Sequence, residues 1–318
     1  MIATVMAPLS YCFISEPPSA ELATSPAATP QLTIRATRRV TVAQYRRSVW
    51  ALLRSKAMFY CVLYQLLTPL VGSIFTTAGP EVKQHWAHVR AVQNSLFSLV
   101  GLVLFSFGLY LVKRSFMHKS WRTMTLVTTI LLNVIDMPFS FLTIFGVVRN
   151  PYFYLGEAVL QGIPDAVNFV VSTFVIVEMA DGGDEGVVYG LLTTTYNVGG
   201  PIAQAISNQV FGLFTPALSD PKNYVEDHYG FRRTVAWSFG LTYAMAFLSL
   251  LTLPLLPEQK AEAQERKRTW ERRDCYAYAT VVLVGAGLAY SCTFDLLAVF
   301  PATMCYRFVG GEGCDSDA

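Results

Sequence analysis

Charge is scarce in this chain. Of its 318 residues, 14% are Asp, Glu, Lys or Arg and 53% are hydrophobic, against roughly 25% charged in soluble domains. A soluble fold of this length would lack the polar surface it needs. The motifs of common chemistries are missing as well. There is no phosphate loop, no HExxH, no Ser-His-Asp set and no membrane-protease aspartate motif, so the sequence reads as no enzyme and calls for no cofactor. With four histidines and no CxxC spacing among six cysteines, no metal-ligand set is expected. His85 and His88, beside Trp86 with Glu81 nearby, read as an interfacial loop. A formal charge of +2, with the bases gathered beside apolar runs, gives no reason to expect a nucleic-acid partner. No cleavable signal is recognisable, because Met1–Ile14 is apolar without a basic residue ahead of it.

What the chain has instead is apolar runs of about 20 residues, the length that crosses a hydrocarbon core about 30 Å thick. Seven are predicted as spans: Ala57–Thr77, Gln93–Val112, Thr123–Phe145, Leu155–Met179, Val187–Phe211, Thr234–Leu256 and Tyr276–Phe300. They are apolar throughout rather than alternating, unlike barrel strands, and helices satisfy their own backbone groups in lipid. The expected fold is all-α, a polytopic transmembrane helix bundle. The protein is thus read as integral and multi-pass, with the lipid bilayer as its first partner. Basic residues orient it. Seven lie in the leader (Arg35 to Lys56), four follow the second span (Lys113, Arg114, Lys119, Arg122) and six follow the sixth (Lys260 to Arg273). Together these are 17 of the 24, which places the leader inside and the tail outside.

The flanking segments are less regular. Glu16–Thr33 is rich in Pro, Ser, Ala and Thr and reads as a flexible linker; Val42–Leu53 is expected as a short helix at the membrane surface. Met1–Ile14 reads either as the end of a helix begun upstream or as an irregular start. Glu258–Asp274 interleaves acids and bases and is expected as a solvated helical extension. Cys305 and Cys314 share the outer tail, either bridged or as two free thiols.

Polar residues inside the spans fall on faces. In the fourth, Glu157, Gln161, Asp165, Asn168 and Ser172 recur every three or four residues, within about 80° of one helical side. A carboxylate near the membrane centre costs roughly 2.5–3.5 kcal/mol, so two in one stripe call for a wet environment. In the fifth span Gly190, Thr193, Asn197, Gly200, Gln204 and Asn208 repeat the pattern, and Gly199-Gly200-Pro201 predicts a kink of the kind that lines solute sites in transporters. The third span offers Thr125, Thr129, Asn133, Asp136, Ser140 and Thr143; the seventh carries Asp295. The competing reading for the Thr and Ser positions is hydrogen bonding between packed helices. Arg149, at the outer end of the third span, snorkels or pairs with Glu157.

Two stretches carry a family likeness. One is Val148–Glu157, with Arg149-Asn150-Pro151 and Gly156-Glu157. The other runs from Phe174–Ala180 through Glu185-Gly186 and Leu191-Leu192-Thr193 to Asn197-Val198-Gly199-Gly200. Their order resembles the folate–biopterin transporter family of the major facilitator superfamily. The resemblance implies a major-facilitator-like C-terminal half. In a twelve-span fold of two six-helix halves, the first span here takes the seventh place and the fourth and fifth take the tenth and eleventh, which face the solute cavity. Met1–Ile14 then becomes the tail of a sixth span, and Glu16–Lys56 the central cytoplasmic loop. The chain departs from that pattern in lacking an N-terminal half and in adding Tyr276–Phe300. The resemblance gives Asp136 no role, and Lys113–Arg122 carries a degenerate form of the superfamily's gating loop.

The resulting division is 1–56, the end of a truncated span plus cytoplasmic linker; 57–257, a six-helix transporter half; and 258–318, a basic cytoplasmic loop, an extra span and an outer tail. The function expected is secondary-active, proton-coupled transport of folate- or pterin-like solutes by alternating access. Glu157 or Asp165 would carry the proton, and Gln161, Asn168, Asn197, Gly199, Gly200 and Asp136 would line the pathway. Protons, the solute, and either a missing N-terminal half or a second copy are the implied partners. The alternative is a non-transporting membrane scaffold or gene fragment.

Overall fold

The structure, a computed structural model, describes residues 42–116, 119–180, 185–306 and 309. The expectations for Met1–Ile14, Glu16–Thr33 and Cys314 lie outside these. Among the described residues the chain is helical, with one isolated bridge between Ser55 and Arg272. The elements are α1 (Val42–Leu53), α2 (Lys56–Gly72), α3 (Ala78–Glu81, widening into a π turn over Val82–Trp86), α4 (Ala91–Leu111), α5 (Trp121–Ile144) and α6 (Pro151–Met179). They continue with α7 (Glu185–Phe211), α8 (Pro221–Glu226), α9 (Tyr229–Ser249, tightening to 3₁₀ over Leu250–Leu255), α10 (Lys260–Thr269) and α11 (Asp274–Val299).

Each predicted run became a helix. Five of them, α4, α5, α6, α11 and α9 with its extension, are long and apolar enough to cross a membrane. The expectation of seven spans is thus met in five by length and composition. At 17 residues, α2 reaches about 26 Å, and the Thr, Asn, Gly and Gln residues of α7 dilute its hydropathy. Val92, Leu96, Leu99 and Val103 of α4, with Val281, Val282, Leu296 and Val299 of α11, expose half or more of their surface. Water does not tolerate apolar area of that extent; lipid does.

Local signals set several ends. Asn150 caps α6 by accepting from the N–H groups of Tyr152 and Phe153, with Pro151 in the first turn, where its missing N–H costs nothing. Ser120 caps α5 through Thr123 N–H. The α2 chain leaves its helix at Gly72, and the freed N–H groups of Phe75 and Thr76 donate to Ser207 (3.1 Å) and Thr242 (2.9 Å), so this half-buried exit keeps its hydrogen bonds.

Helix α6 is the hub. On one side α4 crosses it at glycine contacts. A Cβ added at Gly162 would lie 2.6 Å from Gly101 O, and one at Gly108 would lie 2.7 Å from the Ala166 Cβ. Ala158, Gly162 and Ala166 form a small-residue row that lets two backbones approach, the means by which membrane helices gain packing without a hydrophobic drive. On its other side α6 packs on α5. Two buried apolar clusters result. One, near the α1 end, joins Met58, Val62, Trp121, Val171, Val175, Met179, Leu192 and Leu256. The second joins Ile74, Val82, Trp86, Ile144, Phe211, Tyr224, Phe231 and Val235. Along α2 and α5 the polar middle of the helix lies between them.

The segment expected as a solvated extension is instead docked. Ala263 and Arg266 of α10 are buried. Arg122 donates to Leu256 O (2.7 Å) and pairs with Glu258 and Glu262. Lys267 donates to Glu178 O and Ala180 O at the C-terminus of α6, where a cation suits the helix dipole. Glu178 itself accepts from Lys260 (3.1 Å) and Gln264. The acid–base interleaving marks a helix tied to the ends of α5 and α6, since half its charges face protein rather than water.

Candidate functional site

A cavity of about 480 Å³ opens at the level between the two clusters, lined by α2, α5, α6 and α9 with Tyr196 of α7. From α6 it takes Glu157, Gln161 and Asp165, three successive members of the predicted stripe. From α5 it takes Thr129, Asn133 and Asp136, and from α9 Phe239, Thr242, Tyr243 and Ser249. The stripe of α6 thus divides. Its first three residues face the cavity. Asn168 turns to α5 and accepts from the Thr128 hydroxyl at 2.5 Å, and the Ser172 hydroxyl donates to Asn168 O on its own helix. Those two join helices.

The carboxyl groups have distinct surroundings. Asp136 accepts from the buried Tyr243 hydroxyl at 2.7 Å and from Ser140 at 2.9 Å. Glu157 accepts from Gln161 Nε2 at 2.7 Å and lines the same wall as Asp136. Asp165 is exposed on the wall, and no side chain among the described residues pairs with it. No Lys, Arg or His is among the lining residues; Lys83, which donates to Asn94 at 2.6 Å, lies outside the lining.

The fifth-span residues are placed differently. Asn197 and Gly200 are exposed on α7, one on either side of the buried Val198 and Gly199, and neither lines the cavity. Helix α7 runs unbroken through Pro201, so the expected kink gives no interruption of the helix. Gly199 has a packing reason: its Cβ would lie 3.0 Å from Pro69 Cγ and 3.3 Å from Leu66 O of α2. Gln204 donates to Asn208 at 3.1 Å, and Asp295 is exposed on α11.

Arg149 does not pair with Glu157. It forms a two-pronged pair with Asp227 (2.7 and 3.0 Å) and lies 5.0 Å from the Trp86 ring centre. Arg232 grips the same carboxylate at 2.8 and 2.5 Å. This clasp joins the α5–α6 turn to the start of α9. At the same end His85 pairs with Glu81 at 3.2 Å. Cys305 is disulfide-bonded, which removes the reading of it as a free thiol; its partner lies outside the described residues.

Tyr243, Tyr196, Thr68 of α2 and Ser73 just past its end were not foreseen as lining the cavity. For α9 a signal existed: Ser238, Thr242 and Ser249 lie four and seven residues apart, on one helical side. Compared with known protein families, with curated proteins and with solved structures, the chain finds no match.

Proposed function

We propose that this chain is a secondary-active membrane carrier, or the cavity-bearing half of one, that binds a pterin-like solute between α5, α6 and α9 and couples its passage to a proton. The observation that carries the reading is the placement of three carboxyl groups from two helices on the wall of one cavity, with no cation in the lining. Such an arrangement is costly in lipid unless water or a solute enters. Its volume suits a small-molecule ligand.

The chemistry assigns roles. The 2-amino-4-oxo edge of a pterin presents two adjacent N–H donors, which match the two oxygens of a carboxylate such as the unpaired Asp165. Phe239, Tyr243 and Tyr196 offer ring faces. Glu157, beside Asp136 on the same wall, would take up and release the coupling proton as the cavity changes sides. A folate's two tail carboxylates find no counter-charge in this lining, so its glutamate tail would extend beyond the cavity. The likeness to the folate–biopterin transporters supports the same solute class.

Uptake of labelled pterin into proteoliposomes under an imposed pH gradient tests the proposal. Glu157→Gln is expected to abolish uphill accumulation while retaining solute exchange, and Asp165→Asn to raise the half-saturation concentration at least tenfold. Unaltered accumulation in both variants would refute it. The competing reading is a scaffold that moves nothing, supported by the Thr128–Asn168 bond between helices; it predicts no uptake by the wild-type chain.

A further inference from the structure

Helices α4 and α5 are consecutive, yet each packs on α6 and they splay apart. Between them lies a second groove of about 360 Å³, lined by Leu111, Val127, Leu131, Ile163, Pro164 and Val167, with Lys119 at its mouth. From Thr123 to Leu131 it follows α5 for eight residues, about 12 Å into the apolar layer. The inner hydroxyl, Thr128, is already engaged with Met124 O and Asn168, so nothing within asks for a polar solute. The rim is the opposite. Lys113, Arg114 and Lys119 are exposed, and the sequence from Lys113 to Arg122 contains no acid. Among the described residues Lys113 and Lys119 have no partner; Arg114 reaches only the Tyr110 hydroxyl at 3.3 Å.

We propose that this groove seats an acyl chain of an anionic phospholipid, drawn from the leaflet beside the α4–α5 loop, with Lys113 and Lys119 on its phosphate. The groove supplies a hydrocarbon-lined slot of membrane depth, and the rim supplies unneutralised charge where a headgroup would lie. An anionic headgroup gains near each lysine, and the slot distinguishes a lipid from a free phosphate, which has nothing to place in it. The site sits on the side of α6 away from the carboxyl groups, so it stands whether or not the chain transports.

Native mass spectrometry of the purified full chain, released from detergent with added phosphatidylglycerol or phosphatidylcholine, tests this. The wild-type chain is expected to retain phosphatidylglycerol in preference. The Lys113→Gln/Lys119→Gln variant should lose that preference roughly tenfold, whereas Arg268→Gln, an exposed arginine elsewhere on the same end, should keep it. Val127→Trp, at a position already 54% exposed, fills the slot without burdening the fold and should lower retention of both lipids. Equal retention of the two lipids by the wild type, or an unchanged preference in the double variant, would overturn the proposal. So would displacement of phosphatidylglycerol by an equal concentration of soluble glycerol phosphate.

Discussion

Replacing Gly162 with alanine places a methyl group 2.6 Å from Gly101 O and 3.1 Å from Phe105 N. Both are backbone atoms within a helix and cannot swing aside, so α4 must move away from α6 along the whole crossing. Overpacking of this kind costs about 1–3 kcal/mol, and the rigid neighbours put Gly162→Ala at the upper end. Gly108→Ala meets the Ala166 Cβ at 2.7 Å and the Ile163 Cα at 3.1 Å and should follow. Gly199→Ala, 3.0 Å from the puckering Pro69 ring, should cost less. Gly190 has nothing within 4 Å of an added Cβ, so Gly190→Ala should gain about 0.5–1 kcal/mol from helix propensity alone. Helicity followed by circular dichroism as SDS is added to mixed micelles reads the four variants on one scale. The reasoning fails if Gly162→Ala unfolds at the same SDS fraction as Gly190→Ala.

Two further outcomes follow from the polar contacts. Partial burial raises the Asp227 carboxyl, but hydrogen bonds from Arg232 and Arg149 outweigh it and hold the group below the usual carboxylate range. A folded value below the unfolded one contributes stability that is complete above the ordinary aspartate value of about 3.9. That contribution is lost as pH falls through the depressed value. Asp227→Asn should therefore cost about 1–3 kcal/mol at neutral pH, between surface and buried pairs, and its gap to wild type should close in strong acid. Tyr243→Phe removes the 2.7 Å donor to Asp136 and should cost about 1 kcal/mol, the net worth of one hydrogen bond to an acceptor that the cavity leaves part-exposed, measured in the same SDS titration.

Helix positions were legible because each span is a long apolar run, and bounds differ mostly where capping chemistry was not read. Asn150-Pro151 starts α6 four residues ahead of its apolar run, and Gly72 ends α2 before Thr77 because the chain turns to bond Ser207 and Thr242. The carboxyl stripe was legible from periodicity, but not its division. Periodicity reports which residues share a side, whereas Asn168 pairs with Thr128 through a partner 40 residues away. Asp136 was legible as a pathway residue, but not its bond from Tyr243, which comes from another helix 107 residues away. Gly199 was read for backbone weakness when its use is close approach to α2. The Ala158, Gly162 and Ala166 row was overlooked because small residues carry no hydropathy signal.

The wetness of one side of α6 can be measured directly. Single cysteines at Gln161 and Asp165, facing the cavity, and at Leu160 and Phe169, 51% and 56% exposed on the apolar outside, are introduced after Cys275 and Cys292 are changed to serine. They are then treated in intact membranes with a charged, membrane-impermeant thiosulfonate reagent. Cysteines at 161 and 165 should label and those at 160 and 169 should not. Labelling at 160 and 169 with protection at 161 and 165 would put the carboxyl groups against lipid and contradict the carrier reading.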